Sequence, residues 1–266
     1  MRIGIDIGGS TTDIVAIENN EIKKSFSVTA SDAITSASGA IGRFITQESM
    51  NLSDLRKIAV TGAGAFQLGK SLLGLDLKII QEFRSIGSGG LFLSGLKEAV
   101  VVSMGTGTAL VYATNGTVKH IGGTGVGGGT LIGLARYMLD VTDFKTLCVM
   151  AQKGKLDAVD LNVGDLSPKK MGSLPLSATA SNFGKHSDHA TKNDLALGII
   201  NLVCQSIGVS SVFAARSCNV NTVILTGKLI RIPNLPLIFK ELSDLFNIHF
   251  LIPDHAEYAT AIGAAS

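Results

Sequence analysis

Residues 1–18 read MRIGIDIGGSTTDIVAIE. Two apolar runs, 2–7 and 13–18, flank the pair Gly8-Gly9, and Asn19-Asn20 follows the second run. Short apolar runs bounded by glycine and asparagine are typical of strands that are joined by tight turns. This stretch therefore predicts a β-hairpin with a glycine-rich tip.

A second stretch has the same layout about a hundred residues later. Residues 99–104 form an apolar run that contains one polar residue, Ser103. Residues 105–108 read GTGT, and residues 109–113 form a returning run before Asn115-Gly116. An Asn-Gly pair between apolar runs is a strong hairpin signal. We interpret the two stretches as an internal duplication of a strand, a glycine and threonine turn, and a strand.

The rest of the chain alternates predicted strands and helices. We expect the strand at 77–80 to deliver Glu82 at its C-terminal end, and we expect the polar stretch 153–189 to be loop with short helices. Other strands are predicted at 21–29, 58–60, 222–226 and 248–252, and helices at 31–48, 134–152, 195–215, 235–245 and 257–265. This alternation favours an α/β fold with a mixed sheet in each half. We predict two lobes, residues 1–97 and 98–266.

The composition indicates a soluble globular protein. Hydrophobic residues make up 45% of the chain and charged residues 17%, which excludes a disordered, collagen-like or coiled-coil protein. The net charge of +2 and the lack of a Lys/Arg block give no reason to expect nucleic acid or an anionic membrane as a partner. The three cysteines are widely spaced, so reduced thiols fit better than a disulfide framework. Asp6 interrupts the apolar stretch that a signal peptide needs, and we expect a cytoplasmic protein.

The first turn has the parts of a phosphate-binding site. Gly8 and Gly9 let the backbone approach an anion, the amides and hydroxyls that follow supply donors, and Asp6 can hold Mg²⁺ directly or through water. Alone, such a turn is equally well an ordinary hairpin tip. The similar turn at 105–108 favours a pair of turns that hold the phosphates of a nucleotide between the lobes. The pattern is neither a P-loop nor a dinucleotide fingerprint, since no Gly-Lys-Ser/Thr and no helix follow it.

A third glycine-rich run, residues 125–130, opens a predicted helix. A helix N-terminus binds anions through its amides and its dipole, so this run is a further candidate anion site. Close packing of the helix against a sheet is the alternative, and the two roles are compatible. Gly227, after the predicted strand at 222–226, either lets an adenine ring or a ribose lie against the backbone or simply forms a turn.

Six motifs stand in a fixed order along the chain: Asp6-x-Gly8-Gly9-Ser10, Glu82-Phe83, Val102-x-Met104-Gly105-Thr106-Gly107-Thr108, Gly122-Gly123-Thr124-x-x-Gly127-Gly128-Gly129-Thr130, Thr142-Asp143-Phe144 and Ala178-x-Ala180-Ser181-Asn182-Phe183-Gly184. Together they resemble the motifs of type II pantothenate kinases, the staphylococcal and eukaryotic kind, over nearly the whole chain. The Gly-Gly-Gly-Thr and Ser-Asn-Phe-Gly pieces are specific to that family, whereas sugar kinases, actin and heat-shock chaperones share the first motif.

The resemblance implies a duplicated ribonuclease-H-like fold, the actin-like ATPase fold, with ATP and Mg²⁺ in a cleft between two lobes. It also implies phosphorylation of pantothenate, the first step towards coenzyme A, by a cytoplasmic homodimer. Coenzyme A or acyl-coenzyme A is then a candidate feedback ligand.

Roles of single residues are implied by the same resemblance. Glu82 is implied as the catalytic carboxylate that takes the proton from the pantothenate hydroxyl, and a carboxylate beside an alcohol can activate it for attack. Asp6 is implied as the acid that organises Mg²⁺. Substrate contacts are implied for Lys119, His120 and Thr124. Contacts to the nucleotide are implied for Asp6, Ile7, Gly8, Gly9, Ser10, Thr11, Thr12, Asp13, Thr106, Gly107, Thr108, Gly128, Gly129, Thr130, Leu131, Ile132, Phe144, Gly227 and Lys228.

Three positions depart from the family pattern. Asp13 stands where the family commonly has a Lys, and Lys119-His120 stands where it usually has a cleft Arg. Lys119 can replace the charge of that guanidinium, and His120 can do so only when it is protonated. Arg84 replaces a typical acid, and we expect it to favour the ionised form of Glu82.

These departures leave two other functions open. One is a kinase of the same fold that acts on another small alcohol, such as an aminosugar. The other is a non-catalytic protein that switches with ATP, similar to the ATPase activators of acyl-CoA dehydratases.

Overall fold

A computed structural model of the chain describes residues 1–29, 31–55, 57–167, 169, 172, 174–185 and 187–266. The N-terminal elements are β1 (Arg2–Ile7), β2 (Thr11–Glu18), β3 (Glu21–Thr29), α1 (Ala33–Gln47), β4 (Lys57–Thr61), β5 (Ser71–Leu72), β6 (Leu75–Ile79) and α2 (Glu82–Ser94). The C-terminal elements are β7 (Glu98–Met104), β8 (Thr108–Thr114), β9 (Val118–Thr124), α3 (Gly128–Leu139), α4 (Phe144–Ala151), β10 (Leu161–Asn162), α5 (Val163–Leu166), β11 (Thr179–Ser181), α6 (Lys192–Ser217), β12 (Thr222–Thr226), α7 (Leu235–Phe246), β13 (His249–Leu251) and α8 (Ala259–Ala265).

The two main sheets repeat one topology. The first sheet has the order β3-β2-β1-β4-β6 with β5 at its edge, and the second has the order β9-β8-β7-β12-β13. In both sheets the first three strands are antiparallel and the last two join in parallel. The predicted duplication and the α/β class with a mixed sheet in each half are confirmed. The division into residues 1–97 and 98–266 stays a prediction.

Each sheet buries its outer face against helices of its own half of the chain. Ile5 and Val60 of the first sheet lie in one apolar core with Phe44 of α1. Val102 of the second sheet lies in another core with Ile200 of α6. Full burial of one such side chain contributes roughly 1.5–3 kcal/mol, so these two cores stabilise the two sheets.

The longest helix, α6, is a core helix of the second half. Its length and composition would suffice to cross a membrane, and within the described residues it is the one helix of that kind. However, 61% of its apolar window is buried inside the protein, where it packs against α3, α4 and α7. The prediction of a buried helix over 195–215 is therefore confirmed.

The Ser-Asn-Phe-Gly motif anchors the segment before α6. The carboxylate of Asp160, which is fully buried, accepts hydrogen bonds from the Phe183 amide (2.9 Å) and from the side-chain amides of Asn182 (3.1 Å) and Asn201 (2.8 Å). A buried carboxylate needs such donors because burial removes its water. In this structure the motif therefore ties a loop to α6, away from the two turns.

Three local predictions are wrong. Glu82 is the first residue of α2 and does not end a strand, because β6 already ends at Ile79. The predicted helix over 134–152 is two helices, because Asp140 turns left-handed (φ 60°) after α3 and the Asp143 side chain caps α4. Strand β9 was missed, because Gly122 and Gly123 within it read as part of the glycine run.

The last helix of each half packs against the sheet of the other half. Ile86 of α2 lies in an apolar cluster with Val101 of the second sheet, and Ile262 of α8 lies in a cluster with Val15 of the first sheet. The two helices also contact each other. This exchange joins the two lobes.

Glycines set the distance between α2 and α8. A Cβ atom at Gly89 would lie 1.8 Å from the backbone oxygen of Ala259, and one at Gly263 would lie 1.8 Å from the backbone oxygen of Ser85. Side chains cannot approach backbone so closely. An alanine at either position must therefore push the two helices apart.

We expect Gly89→Ala to lower the free energy of unfolding by about 2 kcal/mol, because overpacking a tight contact costs about 1–3 kcal/mol. Gly39→Ala in α1 is the matched control, since no atom lies within 4 Å of its new Cβ. A gain of about 0.5–1 kcal/mol is expected there from helix propensity. Urea unfolding of the two variants checks this, and equal stabilities would contradict the tight crossing.

Candidate functional site

A cleft of about 880 Å³ lies between the two sheets. Its volume is in the range of small-molecule sites, and polar groups from both lobes converge on it. The structure brings together here most of the residues that sequence analysis singled out: Asp6, Gly8, Gly9, Ser10, Thr11, Asp13, Glu82, Thr106, Gly107, Thr108, Thr124, Gly128, Gly129, Ile132, Phe144, Gly227 and Lys228.

The first turn joins β1 to β2 and keeps two backbone amides open. The Gly8 amide donates to the Thr11 carbonyl at 3.0 Å and closes the turn. Within the described chain, the amides of Gly9 and Ser10 donate no hydrogen bond. Successive open amides in a turn form a concave site for an anion.

The second turn repeats this arrangement between β7 and β8. The Gly105 amide donates to the Gly107 carbonyl at 2.9 Å, and the amides of Thr106 and Gly107 donate no hydrogen bond to any described residue. Ser10 Oγ lies 3.3 Å from Thr106 Oγ1. The two turns therefore face each other across the cleft.

The third glycine-rich run supports the second turn from behind. The amides of Gly128 and Gly129 donate to the carbonyls of Gly105 and Thr106, both at 2.8 Å. A Cβ at Gly127 would lie 2.7 Å from the Thr106 carbonyl oxygen, so the close approach requires glycine. The prediction that this run offers free amides to an anion is wrong for Gly128 and Gly129, and the packing alternative is correct.

Four of the residues that were predicted to contact the nucleotide do not line the cleft. Ile7, Thr12 and Leu131 are buried in the protein interior. Thr130 Oγ1 donates to the Gly125 carbonyl at 2.9 Å, at the start of α3. Any contact of these residues with a nucleotide would run through the backbone, and it stays a prediction.

The three predicted substrate residues lie along β9. Thr124, at the end of the strand, lines the cleft. His120 stacks on Phe83, with ring centroids 3.9 Å apart and an interplanar angle of 9°. Because Phe83 follows Glu82, the imidazole lies close to the start of α2. Both Lys119 and His120 are exposed, and neither lines the cleft.

Asp6 lies opposite Asp13 in the ladder between β1 and β2. Its side chain needs the glycine at position 62, because a Cβ there would lie 2.4 Å from Asp6 Oδ1 and because Gly62 has a φ of +90°. Burial and then the charges of Asp13 and Glu82 raise the pKa of Asp6 to about 7, although Lys228 opposes the shift. Near neutral pH a bound cation would therefore favour the ionised form of this carboxyl.

Glu82 reaches the cleft from the first turn of α2. Partial burial raises the pKa of its carboxyl above the ordinary value. The expectation that Arg84 favours the ionised form is wrong, because desolvation by the cleft wall decides the direction. A carboxylate with a raised pKa is a better proton acceptor.

Three cleft residues from the last part of the chain were not predicted from the sequence. Arg231 and Glu257 form an ion pair of 3.5 Å at the cleft wall, and Thr260 lies at the start of α8. No motif marks these positions. Gly105, in the predicted second turn, also lines the cleft, and the other unpredicted lining residues are Ala63, Ile86, Ser103, Ala109 and Leu229.

The cleft acids fit a magnesium ion. Among the residues that the structure describes, no group of three or more His, Cys, Asp or Glu side chains is arranged to hold a metal. Mg²⁺ at a nucleotide site needs no such group, since it keeps several waters and uses one or two carboxylates with the phosphates. Asp6, which is crowded by two other carboxylates, fits as its ligand.

The raised pKa of Asp6 predicts how stability changes with pH. The folded protein keeps this proton up to about pH 7, and the unfolded chain releases it near 3.8, so ionisation of Asp6 costs stability as the pH rises between these values. We expect the advantage of Asp6→Asn over the wild type in free energy of unfolding to be larger at pH 8 than at pH 5 by roughly 2–3 kcal/mol, because the wild type loses stability throughout this range.

Urea unfolding without nucleotide or Mg²⁺ measures this difference. Asp76→Asn, on the exposed side of β6, is the matched control, and its effect should not depend on pH. An equal advantage of Asp6→Asn at both pH values would contradict the raised pKa.

Comparison with solved structures shows the fold. The activator of the 2-hydroxyisocaproyl-CoA dehydratase from Clostridium difficile, with bound ADPNP, is 17% identical with a TM-score of 0.70, over 99% of this chain and 92% of that one. A ROK family glucokinase from Streptomyces griseus, in complex with glucose and AMPPNP, is 12% identical with a TM-score of 0.64, over 99% of this chain and 97% of that one. The expected actin-like ATPase fold is confirmed.

Comparison of sequences shows the family. A type II pantothenate kinase from Staphylococcus aureus strain USA300 is 27% identical over 277 residues, which span 99% of this chain and 98% of the relative. The model of the family described as Fumble matches residues 96–265, more than half of the chain. The chain therefore belongs to the Fumble family, the family of type II pantothenate kinases.

Proposed function

We propose that the protein uses ATP to phosphorylate pantothenate to 4'-phosphopantothenate, the first step towards coenzyme A. One observation carries the proposal: in a chain of this family, Glu82 faces the same cleft as the two open turns. The full-length similarity to a pantothenate kinase from Staphylococcus aureus supports the choice of acceptor.

The nucleotide binds between the lobes, with its phosphates between the two turns. Support comes from the open amides of Gly9 and Thr106, which belong to the two turns that face each other across the cleft. The nucleotide analogues ADPNP and AMPPNP in the two solved structures of this fold support it further. Phe144 and Gly227 line the part of the cleft that belongs to the second lobe, where we place the nucleoside.

Glu82 acts on the acceptor alcohol. Its carboxylate accepts the proton of the primary hydroxyl while the hydroxyl oxygen bonds to the γ-phosphorus of ATP and the bond from that phosphorus to ADP breaks. The raised pKa of Glu82 suits a group that must take up a proton and release it to solvent afterwards. Mg²⁺ held by Asp6, directly or through water, would neutralise charge on the phosphate oxygens when bound.

Consumption of ATP with Mg²⁺, in the presence and absence of pantothenate, tests the acceptor and the base together. We expect pantothenate-dependent turnover, and a loss of kcat of about 100- to 10,000-fold in Glu82→Gln, because the amide cannot accept the proton. Glu241→Gln on the exposed face of α7 is the control and should keep full activity. ATP binding without pantothenate-dependent turnover would contradict the choice of acceptor and favour another alcohol.

His120 tests where the carboxylate of pantothenate binds. An Arg at this position carries a permanent charge next to Phe83, whereas the imidazole is charged only when protonated. We expect His120→Arg to lower the KM for pantothenate about tenfold at pH 8, with little change in ATP affinity. Lys119→Arg keeps the charge of the neighbouring residue and serves as the control. An unchanged KM would remove His120 from the substrate site.

The function of an ATP-switching activator has less support. Such a role would need thiols that can hold a cluster at an interface. Cys148 and Cys204 are buried in the core of the second lobe, and burial raises the pKa of the Cys204 thiol to about 12. The homodimer, the cytoplasmic location and coenzyme A as a feedback ligand stay predictions.

A further inference from the structure

Carboxylates outnumber cations in the lining of the cleft. The acids are Asp6, Asp13, Glu82 and Glu257, and the cations are Lys228 and Arg231. Arg231 lies 3.5 Å from Glu257 and is thereby paired. A polyphosphate that enters this cleft meets net negative charge, so a protein cation must contribute to its binding besides a metal ion.

Lys228 reaches from the second lobe to the first lobe. It follows β12 and Gly227, and its Nζ lies 2.8 Å from Asp13 Oδ1 in β2 and donates to Ser27 Oγ in β3 at 2.8 Å. The ammonium also lies 4.4 Å from the centroid of the Tyr258 ring. Partners on three elements hold this flexible side chain in one position, which removes the entropy cost of ordering it on binding.

The ammonium keeps donors for a ligand. Lys carries three N–H donors, and one of them is donated to Ser27 Oγ. Asp13 is an ion-pair partner at 2.8 Å, but its Oδ1 accepts no hydrogen bond from a described residue. The charge of Lys228 also acts on Asp6, since it lowers the pKa of that carboxyl against the effect of burial. Asp13 lies two residues after Thr11, which closes the first turn, so the contact with Asp13 places the ammonium near that turn.

We propose that Lys228 binds the phosphate chain of the nucleotide across the cleft, and that Asp13 and Ser27 are the residues that position it. The inference rests on the proposed function in that ATP is the ligand of the cleft. The ammonium then donates to a phosphate oxygen and keeps its hydrogen bond to Ser27 and its ion pair with Asp13. If the ammonium serves only to hold the lobes together, its loss weakens every ligand of the cleft equally.

Dissociation constants of MgATP and adenosine, measured by calorimetry without acceptor, separate these two roles. We expect Lys228→Met to weaken MgATP binding about 10- to 100-fold and adenosine binding less than twofold. The variant loses the hydrogen bond between the ammonium and a phosphate oxygen, and adenosine has no phosphate with which to form that bond. Lys228→Arg should bind MgATP within about threefold of the wild type. Ser27→Ala should weaken MgATP alone, by about threefold.

Lys240→Met on α7 is the matched control, because its ammonium is exposed and pairs with Asp244 at 2.7 Å. Equal losses for MgATP and adenosine in Lys228→Met, or no loss for either, would overturn the inference. The unfolding temperature of each variant shows whether it is folded. A wild-type protein that binds no ATP overturns the inference and the proposed function together, whereas ATP binding that depends on Lys228 without turnover of pantothenate overturns the choice of acceptor alone.

Discussion

The contact between α2 and α8 is the constraint on which the cleft depends. Gly89 and Gly263 let the backbones of the two helices meet at distances that no side chain allows. Because each helix also packs against the sheet of the other lobe, this contact fixes the separation of the two sheets. Glu82 begins α2 and Thr260 lies at the start of α8, so the same contact places an acid and a hydroxyl opposite the two turns.

The buried and crowded carboxylates of the cleft lower the stability of the protein when they ionise. Burial and the neighbouring carboxylates raise the pKa of Asp6, and burial raises the pKa of Glu82 as well. Such groups lower the free energy of unfolding, and they are typical of sites where they contact a ligand or take part in a reaction. Asp6 suits a magnesium ion, Glu82 suits the uptake of a proton, and the open amides suit phosphate.

Local patterns were enough to predict the hairpins, the two turns and the duplication, because apolar runs and glycine pairs act within a few residues. The start of α2 was not predictable in this way. Gly87, Gly89 and Gly90 lower its helix propensity, and it forms because those glycines permit packing against the second sheet and α8. Glu257 and Arg231 were missed for a similar reason, since their position in the cleft depends on where the chain ends fold back.

Asp13 shows how a departure from a family pattern is explained only in three dimensions. Sequence similarity implies a Lys after the first turn, and an acid there would repel phosphate. In the structure Lys228 of the other lobe lies 2.8 Å from that acid, so a positive charge returns to nearly the same place. A cation on β2 would bind phosphate within one lobe, whereas Lys228 is shared between the two lobes. A phosphate bound by this ammonium would therefore contact a group that both lobes hold in place.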